Sequence, residues 1–134
     1  MKKDISIGAL SSRAGVKVPT IRYYEEIGLL PEPTRTESNR RIYDEQSVDR
    51  LCFIRHAREL GFEIETIREM LALADKPQRS CARVDALARG HLKVIDSRIE
   101  RLTALKHEVE GMIRSCSRGR IAECRIIEVL THPG

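Results

Sequence analysis

Tryptophan is absent from this 134-residue chain, and all aromatic residues together make up 4% of it. A thick core packed around large rings is therefore not expected. Hydrophobic residues still reach 41%, enough for a folded protein whose helices pack on Leu, Ile, Val and Ala. A long apolar run is missing as well. The stretch MKKDISIGAL has lysines but no continuous hydrophobic segment behind them, so neither a signal peptide nor a membrane span is expected. The expectation is a cytoplasmic protein with no membrane partner. No nucleophile–base arrangement stands out, so catalysis is not expected. Cysteine is scarce, with 4 residues. In a reducing compartment, clustered thiols point to metal binding or redox work rather than to a structural disulfide.

Charge of both signs is present but unevenly spread. The net charge is +4 and the pI about 9.0, yet residues 1–75 hold 12 Lys or Arg against 13 Asp or Glu, and residues 76–134 hold 12 against 7. Nucleic-acid binding therefore cannot be read from the whole-chain charge. Segregation within the first half permits it: Arg13, Lys17 and Arg22 precede Glu25 with no acid between them, and Arg35, Arg40 and Arg41 surround one glutamate.

The length suits one conventional domain or two very small modules. In ISIGALSSRAG, Ile7, Leu10 and Ala14 recur three or four apart and Gly15 follows, which predicts a short helix. In VPTIRYYEEIGLL a second helix starts at Pro19 or Thr20, presents Ile21, Tyr24 and Glu25 on one face, and stops at Gly28. This pair is a minimal helix-turn-helix signal, one that many small helical domains share. Pro31 and Pro33 break the following segment, and Ser38-Asn39 predicts a turn between extended pieces near Arg35 and Arg41–Tyr43, a small β-hairpin wing. Asp44 is placed to cap a helix through VDRLCFIRHAREL, in which Val48, Leu51, Ile54, Ala57 and Arg58 recur at helical spacing before Gly61. IETIREMLALA gives a further helix with Ile64, Ile67, Leu71 and Ala74 on one side, and DKPQRS is the linker after it.

From Cys81 to about Cys116 the pattern is one long helix. Ala88, Ile95, Leu102 and Val109 are spaced by seven, Leu105 and Met112 fill the intervening position, and Leu92, Ile99 and Ile113 widen the stripe. His91 and Arg98 interrupt it. The preceding residues are committed to their own module, so the stripe calls for a dimer through this helix. Folding back onto the N-terminal module is the alternative.

IRYYE is the most informative segment for DNA. Arg22, near the start of the second helix, can enter a major groove and reach a base edge or a phosphate. Tyr23 and Tyr24 offer a ring plus a hydroxyl for bracing the sugar-phosphate backbone, though either can equally serve the core. Arg40, Arg41 and Tyr43 on a wing would hold flanking phosphates, Lys17 adds charge, and Arg55 and Arg58 either face DNA or solvate a core helix.

TIRYYEEIGLLPEPTR, then NRRIYDE, then RLCFIRHARELGF, resembles the DNA-binding domain of the MerR family of bacterial transcription regulators, and the resemblance extends over essentially the whole chain. It implies an all-α fold with a small β wing: a winged helix-turn-helix plus a long antiparallel coiled-coil dimerisation helix. The implied boundaries are residues 1–75 for DNA binding with a helical extension, 76–115 for the linker and dimerisation helix, and 116–134 for a metal-binding loop and tail. It also implies that Arg22, Tyr24, Arg35, Arg41 and Tyr43 contact DNA, mostly its backbone. The family has Gly-Tyr or Gly-Phe ahead of the wing arginine, where this chain has Asn39-Arg40. Implied partners are double-stranded promoter DNA, a second copy of the chain and RNA polymerase.

Of the cysteines, Cys52 sits beside Leu51 and Phe53 and reads as a small buried thiol. Cys81 and Cys116 stand at opposite ends of the long helix, roughly 50 Å apart at about 1.5 Å per residue. An antiparallel dimer brings such ends together, so Cys81 of one subunit would approach Cys116 and Cys124 of the other. Thiolates select soft or borderline ions, and Arg114, Arg118, Arg120 and Arg125 favour the thiolate form. The loop SRGR is small enough to wrap an ion. The resemblance divides here. Seven residues between Cys116 and Cys124, followed by IIEVL, are similar to the copper-efflux regulators, which have serine at the position of Cys81. Cysteine there is similar to regulators of divalent ions. An extra thiolate changes charge and coordination number, so Cd, Pb or Hg is expected ahead of Zn, with Cu(I) as the alternative. His91 and His107 lie mid-helix, and His132 reads as part of a loose tail. A thiol-redox sensor and a structural coiled-coil protein are the readings from other classes.

Overall fold

The computed structural model describes residues 4–116 and 118–132. The chain divides into two compact units, Met1–Val84 and Asp85–Gly134.

In the first unit, helix α1 (Ile7–Ala14) is opened by Ser6, whose hydroxyl accepts from the Ala9 N–H at 3.1 Å. It closes at Gly15, whose φ of 69° is the left-handed conformation in which a Cβ is strained. A Cβ on Gly15 would also stand 2.9 Å from Arg55 Nη1, so the flexible end of that side chain would have to move aside. Helix α2 (Val18–Glu26) starts at Val18, one residue ahead of the expected Pro19, with Lys17 as its N-cap. Proline costs nothing in the first turn, where its missing N–H would have no helical partner. Strands β1 (Thr34–Arg35) and β2 (Arg41–Ile42) pair antiparallel, with Thr34 opposite Ile42 and Arg35 opposite Arg41.

The wing turn is closed by Thr36, whose N–H donates to the Arg40 carbonyl at 2.9 Å and whose carbonyl accepts from the Asn39 N–H at 2.8 Å. Asn39 itself takes a φ of 67°, a conformation its short polar side chain tolerates better than most. Asn39 thus accommodates the tight turn where the family pattern has glycine. A single antiparallel bridge, Ile5 to Tyr43, extends the wing, with N–H to carbonyl distances of 2.9 and 2.8 Å.

Helix α3 (Glu45–Glu59) begins with the expected cap: Asp44 accepts from the Ser47 N–H at 3.0 Å, and the Ser47 hydroxyl reaches back toward the Asp44 N–H in a capping box. Its buried residues, Val48, Leu51, Ile54 and Ala57, are three apart and form one stripe. Helix α4 (Ile64–Ala74) buries Ile67 and Leu71. Leu10, Ile21, Leu29, Leu51, Ile54 and Ile67 are the largest fully buried side chains, so the core is aliphatic. A two-point ion pair, Arg13 to Glu45 at 2.6 and 2.7 Å, ties α1 to the start of α3.

Helix α5 (Ala82–Ser115) is continuous over 34 residues and has no buried residue. Leu92, Ile99, Leu102, Leu105, Val109 and Ile113 are all exposed along it. After it come a short 3-10 turn at Ile121–Glu123 and helix α6 (Arg125–Thr131). His132, expected in a loose tail, is the C-cap of α6 and donates its N–H to the Glu128 carbonyl at 3.0 Å. No helix among the described residues is long and apolar enough to cross a membrane.

Candidate DNA interface and thiol pair

Arg22, Arg35 and Arg41 line one cleft of about 350 Å³ between α2 and the wing, together with Glu25, Glu26, Glu32 and Pro33. The tight wing turn places Arg35 and Arg41 opposite each other across the hairpin. Arg22 reaches the same cleft because it lies one residue beyond buried Ile21, on the open side of α2. Arg35 donates from Nη1 to the Asn39 carbonyl at 3.1 Å, which steadies its side chain along the turn. Formal charges in the cleft balance, three guanidinium groups against three carboxylates, so how the carboxylates are held decides whether an anion can enter.

Glu25 is held inward. Its side chain is 7% exposed, its Oε2 accepts from the Tyr43 hydroxyl at 2.9 Å, and its Oε1 lies 3.6 Å from Arg41 Nε. Burial, followed by the bond to Glu25, pushes the Tyr43 phenol well above the usual tyrosine range, because ionisation would place a second negative charge beside the carboxylate.

The other expected DNA contacts are dispersed. Lys17, Arg40 and Tyr23 are exposed, and Tyr23 lies with its ring 6.0 Å from that of Tyr24. Tyr24 and Tyr43 are core residues, 9% and 5% exposed. Arg55 lies against the α1–α2 turn at Gly15, and Arg58 donates to the Phe62 carbonyl at 2.8 Å. Glu25 escaped the sequence reading as anything but a helix-face residue. Its signal was a carboxylate in phase with Ile21 and adjacent to Tyr24, on the face the core needs.

The thiols fall in both units. Cys52 is half-buried against the core. Cys81 is exposed, just ahead of α5, and borders a mostly apolar hollow of about 260 Å³ lined by Phe53, Met70, Leu73 and Val84 among others. Cys116 and Cys124 are half-buried free thiols. The Cys116 side chain is close enough to favour the thiolate form of Cys124. The backbone N–H of Ile127 is the largest influence drawing the Cys124 thiol below its ordinary range, with Ile126 and Cys116 adding to it. Arg118, at φ 57°, and the 3-10 turn bend the chain between the two cysteines; Ser117 of the expected SRGR loop lies outside the described residues. Two soft donors with one biased toward thiolate fit a soft cation. Among the described residues no group of three His, Cys, Asp or Glu side chains could hold a metal ion. The pair offers two soft donors.

Residues 5–74 match the family described as "MerR HTH family regulatory protein", and residues 48–112 match "MerR, DNA binding". The chain belongs to the MerR family. It is 38% identical over 125 residues to the mercuric resistance operon regulatory protein of Bacillus cereus, covering 92% of this chain and 95% of that one. Among solved structures, the transcription regulator PbrR691 from Ralstonia metallidurans CH34 in complex with lead(II) superposes with a TM-score of 0.83 at 40% identity, covering 94% of this chain and 98% of that one. The dual-function regulator MerR of Bacillus megaterium MB1 in complex with mercury(II) gives 0.75 at 32% identity, covering 96% and 100%. As a MerR-family member the chain is a helix-turn-helix transcription regulator and not an enzyme.

Proposed function

We propose that this MerR-family chain is a metal-responsive regulator that binds promoter DNA as a homodimer and activates efflux or detoxification genes when a soft divalent ion, Cd, Pb or Hg ahead of Zn, is captured. The observation that carries this reading is the Cys116–Cys124 pair, with Cys124 biased toward thiolate. The third ligand is Cys81 of the partner subunit. Two similar proteins, one bound to lead(II) and one to mercury(II), support the choice of ion. Cys116, Cys124 and the partner's Cys81 would hold the ion, which would cross-link the two subunits and restrain the loop between Cys116 and Cys124.

On DNA, α2 is the recognition helix. Arg22 meets a base edge or phosphate, Arg35 and Arg41 meet the backbone from the wing, and Lys17, Tyr23 and Arg40 flank them. The dimer forms along the exposed stripe of α5, antiparallel, so that each Cys81 reaches the other subunit's thiol pair. RNA polymerase is the partner whose access to the promoter changes.

A metal competition series on anaerobic protein tests the reading. Cd(II), Pb(II), Hg(II), Zn(II) and Cu(I) are compared by thiolate absorption and by promoter transcription. Cys81→Ser is expected to lose the divalent response by tenfold or more in metal affinity. An unchanged divalent response in Cys81→Ser would remove Cys81 from the site. A wild-type preference for Cu(I), the ion suggested by loop length alone, would overturn the divalent assignment and leave DNA binding standing.

A further inference from the structure

We propose that Glu25 is a positioning residue for DNA binding: its buried carboxylate holds Arg41 and Tyr43 of the wing against the recognition helix, so that Arg41 presents to a backbone phosphate. The proposal rests on the DNA-binding reading and assigns a role to an acidic residue at an interface for a polyanion. Left free in that cleft, a carboxylate would repel phosphate. Glu25 is instead turned inward, its side chain 7% exposed.

Two features separate this carboxylate from an ordinary surface ion pair. Arg13 and Glu45 close on each other through two hydrogen bonds of 2.6 and 2.7 Å, and both are half-exposed. Glu25 and Arg41 do not close. Their Oε1 and Nε atoms are 3.6 Å apart, both buried, and neither has a hydrogen-bond partner among the described residues. At that distance the charges attract without a hydrogen bond, so the guanidinium is oriented but not consumed. Glu25 spends its other oxygen on the Tyr43 hydroxyl at 2.9 Å. Tyr43 is joined through its backbone to Ile5 and, one residue away, to the wing strand that carries Arg41. One carboxylate on α2 therefore fixes both the side chain that faces the cleft and the strand that carries it. Arg22 and Arg35 line the same cleft and need that strand in place.

The sign of the effect discriminates the roles. If Glu25 positions Arg41, removing its charge weakens DNA binding. If Glu25 only adds negative potential near DNA, removing it strengthens binding. The experiment uses the full-length chain and a fluorescein-labelled duplex that the wild-type protein has selected from a random pool, titrated across a salt series. Glu25→Gln is expected to weaken binding by roughly three- to tenfold and to lower the slope of log K against log salt by about one, the signature of one lost phosphate contact. Arg41→Ala is expected to weaken binding comparably, and the double variant to fall clearly short of the sum of the two losses, because Glu25 acts in part through Arg41.

Additive losses in the double variant, an unchanged salt slope, or tighter binding by Glu25→Gln would each overturn the role. If Glu25→Gln is not folded by circular dichroism, Tyr43→Phe in the same cycle reads the coupling from the other side, and additivity there overturns it equally. Failure of the wild-type chain to retain any duplex would sink the DNA-binding reading, and this role with it.

Discussion

Cys124 shows how a single residue is tuned by its neighbours. The amide of Ile127, then that of Ile126 and the Cys116 thiol, favour the negative sulfur, while partial burial opposes them. A lowered thiol pKa means that the thiolate persists to lower pH, and with it both nucleophilicity and metal affinity. In metal-free protein, alkylation of Cys124 by iodoacetamide is therefore expected to show its pH inflection below that of an ordinary thiol. Cys116→Ala removes one of the three stabilising contacts, so the inflection should move upward and the rate at neutral pH fall by roughly two- to fivefold. Peptide-resolved mass spectrometry reads each thiol separately. An inflection that does not move in Cys116→Ala would show that the two side chains do not communicate. Tyr43 is the counterpart on the DNA side: a phenol whose ionisation is held off by burial and by a carboxylate, so that its bond to Glu25 survives throughout the neutral range.

Among the elements, α5 is the one whose sequence makes least sense in a single chain. A helix of 34 residues with no buried side chain leaves its apolar stripe to water, whereas helices in folded proteins draw most of their stability from packing that stripe. Leu102, 64% exposed, lies near its middle. Leu102→Arg would place one unpaired charge per subunit in a dimer seam, at about 2 kcal/mol each, or on the order of a thousandfold in dimer dissociation. Analytical ultracentrifugation should find a monomer, with helical circular dichroism lowered by no more than the share of α5; a dimer at unchanged strength would move the interface off this stripe. The heptads of α5, the glycine stop at Gly15 and the Asp44 cap were legible because each is a local rule written in a few adjacent residues. The Ile5–Tyr43 bridge was not, since one residue pair has no period to detect. Helix α6 was hidden for another reason: it is seven residues long and follows a bend at Arg118 that no propensity foretells. The candidate cleft was half legible. Its arginines stood out by charge, but the burial of Tyr24 and Tyr43, and the inward turn of Glu25, depend on long-range packing that spacing alone leaves open.

For the whole molecule, the issue is whether a ligand set can be divided between subunits. The Cys116–Cys124 pair lies in one compact unit and Cys81 in the other, and among the described residues of one chain no three such donors gather. In the antiparallel dimer we propose, each site would take Cys81 from one subunit and the thiol pair from the other, with a consequence that no single-chain site shares. A Cys81→Ser chain keeps its own thiol pair but lacks the third ligand it lends; a Cys116→Ser/Cys124→Ser chain keeps only the ligand it lends. Each homodimer should bind Pb(II) or Hg(II) at least tenfold more weakly than wild type. Mixed dimers, formed by co-expression with two affinity tags, reunite one complete set: Cys81 of the second chain meets Cys116 and Cys124 of the first. Such heterodimers are expected to recover tight binding at one ion per dimer, half the wild-type stoichiometry, by inductively coupled plasma mass spectrometry. A site contained in one chain predicts no recovery, since neither subunit then holds all three sulfurs. Undiminished binding by the Cys81→Ser homodimer, at two ions per dimer, would point to the thiol pair alone as the site, and Cys81 would then have no part in binding.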